Sequence, residues 1–176
     1  MKDEHVRTTE ALQLAIQMEI EGKEFYQQAS QKSGNKLARE LFQNLANEED
    51  IHRKKFEEIY GALKKGQGWP DVEPPSEKGK RLKSIFAQAT KELGTKVKVA
   101  ESELEAIKIG MDMEIKTYDF YRSRSEQSTL PLEKRFYQAL SGEEQGHRLA
   151  LLDSYEYLTD PVGWFTSKEH WSLDGG

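Results

Sequence analysis

Apolar residues recur at spacings of three and four along four long stretches of the chain, with polar or breaker-rich runs between them. That period predicts amphipathic helices at about residues 8–31, 36–64, 101–127 and 131–157. The breaks at Ser33-Gly34-Asn35 and around Ser128-Thr129-Leu130-Pro131 are short, which makes each flanking pair of helices antiparallel. Between the pairs, at about residues 65–100, the chain first runs through the breakers of Gly66 to Pro75. Ser76 can then cap a shorter helix at about 77–93. The expected fold is all-α: a four-helix bundle of two antiparallel pairs joined by a long crossover that contains a short helix.

The chain is also written twice. Residues 11–60 lie over residues 106–155 without a gap, and the identities are far more numerous than chance composition gives. The best-matched stretches set Met18-Glu19-Ile20 over Met113-Glu114-Ile115, Phe25-Tyr26 over Phe120-Tyr121, Glu48-Glu49 over Glu143-Glu144, and His52-Arg53 over His147-Arg148. Neither hairpin alone can bury its apolar stripe, and no low-complexity tract separates the halves, so residues 1–176 are expected to form a single domain, with a tail from about residue 158 to 176.

Those repeated positions change what the stripes can do. In the first helix the inward stripe runs Leu12, Ala15/Ile16, Glu19, Gly22, Tyr26, and in its repeat Ile107, Gly110/Met111, Glu114, Thr117/Tyr118, Tyr121. The second helix of each pair carries Leu45, Glu49, His52, Phe56 and Leu140, Glu144, His147, Leu151 on its inward face. Every helix of the bundle thus aims a carboxylate at the core. An unpaired carboxylate in an apolar interior costs several kcal/mol, a large part of a domain's ~5 to 15 kcal/mol stability. The inward stripes hold no Lys or Arg to compensate. Two divalent cations would neutralise four glutamates. One inward Glu from each of two helices, with Glu-x-x-His from each of the other two, is the arrangement that holds a pair of metal ions in a bundle. A lone Glu-x-x-His is commonplace in a Glu-rich helical protein; its repetition on matched inward stripes makes Glu19, Glu49, His52, Glu114, Glu144 and His147 the candidate ligands.

Tyr26 and Tyr121 follow Glu19 and Glu114 by two turns on the same face, either as core filling or as hydroxyls that orient a ligand carboxylate. Glu48 and Glu143 are about 100° out of phase with the ligands and are expected in a solvated or interhelical role. His5 and His170, near the termini, are expected at the surface. Trp164, Phe165 and Trp171 in the tail are expected to cap the bundle or to pack on a second subunit.

Composition narrows the chemistry. With no Cys among 176 residues, disulfides, thiolate nucleophiles, iron–sulfur ligation and Cys-ligated zinc are excluded. A hydrophobic share of 36% beside 32% charged residues, with a negative mean hydropathy, describes a water-soluble helical protein. No apolar run approaches the ~18 residues of a membrane span. A start of MKDEHVRTTE has no secretory h-region, so a cytoplasmic location is expected. A net charge of −5, with basic residues interleaved among acids, argues against nucleic acid as a partner.

From Ala11 to Tyr155 the chain resembles the rubrerythrin family of the ferritin-like di-iron carboxylate superfamily, particularly its short members without a rubredoxin domain. The resemblance rests on Glu19 with Tyr26, Glu49-x-x-His52, Glu114 with Tyr121, and Glu144-x-x-His147. The tail from Asp160-Pro161-Val162-Gly163-Trp164-Phe165 to Leu173-Asp174-Gly175-Gly176 is similar to the end of those short members. It implies a ferritin-like bundle with two Fe ions, Mn or Zn being possible occupants. It also implies a homodimer and an oxidoreductase that reduces hydrogen peroxide or dioxygen in protection against oxidative stress. Without cysteines, the electrons must come from an external donor such as a rubredoxin-like protein. The family places a further Glu one turn after the third-helix ligand, linked to an iron shift during peroxide reduction; here that position is Thr117, with Gly22 as its repeat mate. The alternative is ferritin-like iron oxidation, sequestration or transfer without a peroxidase role. A third possibility is a metal that serves only as a structural staple.

Overall fold

The computed structural model describes residues 2–173, and the side chains of residues 5–168. It has helices α1 (Lys2–Lys32), α2 (Lys36–Lys64), α3 (Lys80–Leu93), α4 (Glu101–Gln127), α5 (Pro131–Thr159) and α6 (Pro161–Leu173), and no strand among the described residues. α1 packs along α2 and α4 along α5, and the two hairpins meet through α1 against α4 and α2 against α5. α3, in the crossover, lies on α2 and α5.

Local chemistry sets the junctions. Asn35 caps α2 by accepting from the Ala38 amide at 3.0 Å, satisfying one of the amides a helix start leaves without a partner. The Glu103 carboxylate then ties the hairpins together: it accepts from the Asn35 amide at 2.8 Å and from the Ala100 amide at 2.8 Å. Pro131 opens α5, where its fixed φ suits the first helical turn and its missing N–H costs nothing. Arg124, at the end of α4, pairs with the buried Glu133 of α5 at 3.1 Å and closes that turn.

Three elements depart from the expected boundaries. α1 begins at Lys2 rather than near residue 8; its first turns lack buried apolar residues to mark the period, and Val6 is exposed. α3 begins at Lys80, and Ser76 is not its cap. Lys78 and Gly79 take left-handed backbone angles of +46° and +73°, because the chain there is pressed against α5. A Cβ on Gly146 would lie 2.5 Å from the Lys78 carbonyl carbon. The tail forms α6: the Asp160 carboxylate accepts from the Gly163 amide at 2.9 Å, and Pro161 takes the first position. Trp164 then packs edge-on against Phe86 at 5.4 Å and Tyr157 at 5.6 Å, with Phe165 6.0 Å from Tyr157. These two aromatics cover the chain's own α3 and α5. The side chains of Trp171 and His170 lie outside the described residues, and His5 is exposed.

The apolar interior comes in two layers. One gathers Tyr26, Leu41, Phe42, Leu45, Phe86, Ile107, Leu151 and Tyr157; the other gathers Leu12, Phe56, Ile59, Tyr121, Phe136, Tyr137 and Leu140. Between them lies a layer of buried carboxylates and imidazoles. Among the described residues no helix is long and apolar enough to cross a membrane.

Candidate metal centre

All six residues expected on the inward stripes meet in the middle layer. Glu19, Glu144 and His147 have no measurable exposure, and Glu49, His52 and Glu114 are each 2% exposed. Their donor atoms fall into two overlapping sets, each within 4.8 Å: Glu19, Glu49, His52 and Glu144, and Glu49, Glu114, Glu144 and His147. Glu49 and Glu144 belong to both sets. The imidazole rings are stacked 5.7 Å apart and nearly parallel, at 8°.

The Nδ1 atoms face the centre. His52 Nδ1 is 3.6 Å from Glu19 and 3.4 Å from Glu144. His147 Nδ1 is 3.2 Å from Glu49 and 3.5 Å from both Glu114 and Glu144. None of these contacts satisfies the atoms. Glu19 Oε2, Glu49 Oε1, Glu114 Oε2, Glu144 Oε1, His52 Nδ1 and His147 Nδ1 are all buried without a hydrogen-bond partner. Buried polar atoms are almost always paired, and each orphan costs about 1–3 kcal/mol. Six orphans converging on one volume, all oxygen or imidazole nitrogen, fit a pair of cations.

The electrostatics carry the same strain. Burial, followed by the charges of Glu19 and Glu144, pushes the Glu49 carboxyl well above the usual carboxylate range. Burial and the Glu144 charge do the same to Glu114. Burial disfavours the imidazolium form of His52 and His147, but the neighbouring carboxylates, led by Glu19 and Glu114 respectively, outweigh it and raise both rings. Protons are thus held where cations would otherwise balance the charge.

The outer contacts are exchanged between the hairpins. Tyr26, on α1, donates to Glu114 of α4 at 2.5 Å, and Tyr121, on α4, donates to Glu19 of α1. Each tyrosine therefore orients the carboxylate of the opposite repeat rather than the one on its own helix. Both phenols are pushed well above their ordinary value, by burial first and then by the carboxylate they serve.

Glu48 takes the interhelical of its two expected roles. Its carboxylate is buried and lies 2.6 Å from His147 Nε2, so it is interhelical and not solvated. Burial pushes the Glu48 carboxyl up, but the His147 hydrogen bond and charge outweigh burial and hold it below the usual range. In the neutral ring, a carboxylate on Nε2 places the one remaining ring proton there and leaves the Nδ1 lone pair toward the centre. Glu143 is 1% exposed; it groups with the His52 and His147 nitrogens and accepts from the Lys78 amide at 2.7 Å. The repeat marks the position, since Glu48 recurs as Glu143. Helical phase allowed the interhelical role without naming its partner: a position about 100° from Glu49 faces the seam with the neighbouring helix, where the other repeat's histidine lies.

Beside the carboxylates the wall is thin. A Cβ on Gly22 would lie 2.9 Å from Glu49 Oε2, so only glycine leaves that carboxylate its place. Thr117 turns its hydroxyl to the α4 carbonyls of Met113 and Glu114, both at 3.1 Å. Between them, bounded by Met18, Tyr26 and Met113, is a cavity of about 10 Å³, close to the smallest that holds one water.

Two antiparallel helix pairs with a long crossover, enclosing a paired carboxylate–imidazole cluster, define a ferritin-like bundle of the dinuclear carboxylate class. The chain belongs to the rubrerythrin family, whose members typically hold a di-iron centre: the family model described as Rubrerythrin matches residues 10–155. No curated protein and no solved structure matches the chain.

Proposed function

We propose that this protein is a di-iron oxidoreductase that reduces hydrogen peroxide or dioxygen with electrons from an external donor, such as a rubredoxin-like protein, and so protects against oxidative stress. Glu19, Glu49, His52 and Glu144 would hold one ion and Glu49, Glu114, Glu144 and His147 the other, with Glu49 and Glu144 shared. The observation that carries this is the convergence of six orphaned donor atoms in two sets that have two carboxylates in common. Oxygen and imidazole ligation suits Fe and Mn and also admits Zn; the family favours iron. Iron there would supply two electrons, one from each ion, to a small oxidant.

The chain's own residues do the rest. Tyr26 and Tyr121 fix Glu114 and Glu19, and Glu48 fixes His147. Gly22 and Thr117 leave a cavity of about one water beside the carboxylates, and the two apolar layers keep bulk water out.

One observation favours iron oxidation, sequestration or transfer instead: Thr117 stands where the family resemblance places an additional carboxylate. The two are separated by loading the protein anaerobically with Fe(II) and mixing it rapidly with H₂O₂ and, separately, with O₂. Oxidation much faster with peroxide, ending at two irons per chain, is expected. Faster oxidation by O₂ with continued uptake beyond two would establish storage, and a redox-silent metal would leave only the structural role.

A further inference from the structure

We propose that Glu48 makes the His147 end of the centre the tighter of its two metal sites, because the crossover draws the repeat mate, Glu143, away from His52. The two donor sets are otherwise matched. Each offers three carboxylates and one imidazole, and Glu49 and Glu144 belong to both. The outer tyrosines match as well, Tyr26 on Glu114 and Tyr121 on Glu19. Thr117, whose repeat mate is Gly22, reaches the shared Glu144 at 3.5 Å and so favours neither end. What differs is the group behind each imidazole. Glu48 lies 2.6 Å from His147 Nε2. Glu143 holds the same place in the other repeat and comes within 4.8 Å of a nitrogen of each ring. Its carboxylate nevertheless accepts from the Lys78 amide at 2.7 Å and makes no hydrogen bond to His52.

The chain departs from its own repeat to allow this. Gly142 and Gly146 of α5 stand where α2 has Asn47 and Ile51, although glycine weakens a helix interior. Ile51 is 50% exposed, whereas Gly146 is covered by the backbone of Lys78 and Gly79. A Cβ on Gly142 would in turn lie 3.7 Å from Lys78 Cε. The two glycines thus admit the segment that claims Glu143. Glu48 meets no such competitor. Its second oxygen, Oε1, is buried without a hydrogen-bond partner, which leaves His147 as the one group that its carboxylate serves.

A carboxylate behind a metal-binding imidazole keeps the ring proton on the outer nitrogen, fixes the ring's orientation and makes the inner nitrogen a stronger donor; losing such a partner typically costs about 10–100-fold in metal affinity. His147 has that partner and His52 lacks it. The set of Glu49, Glu114, Glu144 and His147 is therefore expected to fill first, with about 10–100-fold the affinity of the set of Glu19, Glu49, Glu144 and His52. Repulsion between two cations weakens whichever binds second, so two-step binding alone does not tell the ends apart. The identity of the histidine occupied first does.

This preference rests on the paired metal site of the proposed function, and a redox-silent ion tests it apart from the reaction. Zn(II) is titrated into chelator-stripped, full-length protein carrying isotope-labelled histidine, and the ring nitrogens are followed by proton–nitrogen correlation NMR, which separates metal-bound from protonated and free nitrogens. At one equivalent His147 Nδ1 is expected to carry the metal signal, with His52 gaining it only toward two equivalents. In Glu48→Gln the preference is expected to shrink at least ~10-fold, so that the two histidines fill together. Glu143→Gln, at a carboxylate that serves the Lys78 amide, is expected to keep the wild-type order. His52 filling first, or both histidines filling together, in the wild type overturns the preference; so does a wild-type order in Glu48→Gln or its loss in Glu143→Gln. Two ions bound in the wrong order would leave the paired site intact and remove only the preference, whereas Zn(II) bound at neither histidine would remove the paired site itself.

Discussion

Glu49 and Glu144 differ from Glu19 and Glu114 in one respect: the first two lie within reach of both donor sets, the others of one. Isosteric removal of charge should therefore have unequal effects. Glu19→Gln or Glu114→Gln is expected to leave one tightly bound ion per chain, because the opposite set keeps all its donors. Glu49→Gln or Glu144→Gln is expected to weaken both ions, leaving less than one after desalting, as read by metal analysis. Equal loss in all four variants would contradict the shared assignment. The convergence of all six candidate positions was legible in the sequence because the duplication superimposed them; which carboxylates reach both donor sets was not, since that depends on how α2 and α5 face each other. The same blindness concealed Glu48, whose partner His147 is 99 positions away, and the exchange by which Tyr26 and Tyr121 serve opposite repeats.

The crossover is anchored where Gly79 meets Gly146. A Cβ on Gly146 would fall 2.5 Å from the Lys78 carbonyl carbon and 2.8 Å from the Gly79 amide, backbone that cannot rotate aside. Gly146→Ala therefore forces α3 and its lead-in away from α5 and loosens the Lys78 amide from Glu143, beside His147. The expected cost is that of overpacking, about 1–3 kcal/mol, seen as a lowered Tm; an unchanged Tm would show that the contact is slack. The four long helices were legible because apolar period and breaker runs agreed. α3 started late because a tertiary contact claimed Lys78 and Gly79, which no local pattern records. α6 was missed although Asp160-Pro161 is a helix-start signature, because its short sequence has little amphipathic contrast and its aromatic residues read as a patch to be covered.

Across the whole molecule, the duplicated hairpins put four carboxylates and two imidazoles between two dry layers, and the folded chain must balance that charge with protons or cations. In the metal-free protein Glu49 and Glu114 are raised, and so are His52 and His147. Each of these groups holds its proton more tightly folded than unfolded. Their contribution is complete below the unfolded values of ~4.3 for Glu and ~6.5 for His and is lost as pH climbs through the folded values. Glu144 acts in the opposite sense: burial raises it, but the close approach of Glu114, His147 and His52 outweighs burial and lowers it, so its contribution fades toward acid. Glu48 is lowered as well, and both lowered carboxylates act only toward acid, so between pH ~5 and pH ~8 the raised groups decide and the Tm of the metal-free protein is expected to fall. Bound metal should reverse that slope, because the ligands bind as deprotonated groups; a metal-free Tm that is flat or rises over this range would contradict the charge balance. The two-hairpin architecture was legible in the sequence. The packing of Trp69 of the crossover onto Tyr137 was not, since no local pattern records where the crossover folds back. The most direct test of the account is an anaerobic Fe(II) titration of the chelator-stripped protein, with bound iron counted per chain and its environment read by Mössbauer spectroscopy. Saturation at two irons per chain that become a magnetically coupled diferric pair on oxidation is predicted; saturation at one or none, or two irons that never couple, would contradict it.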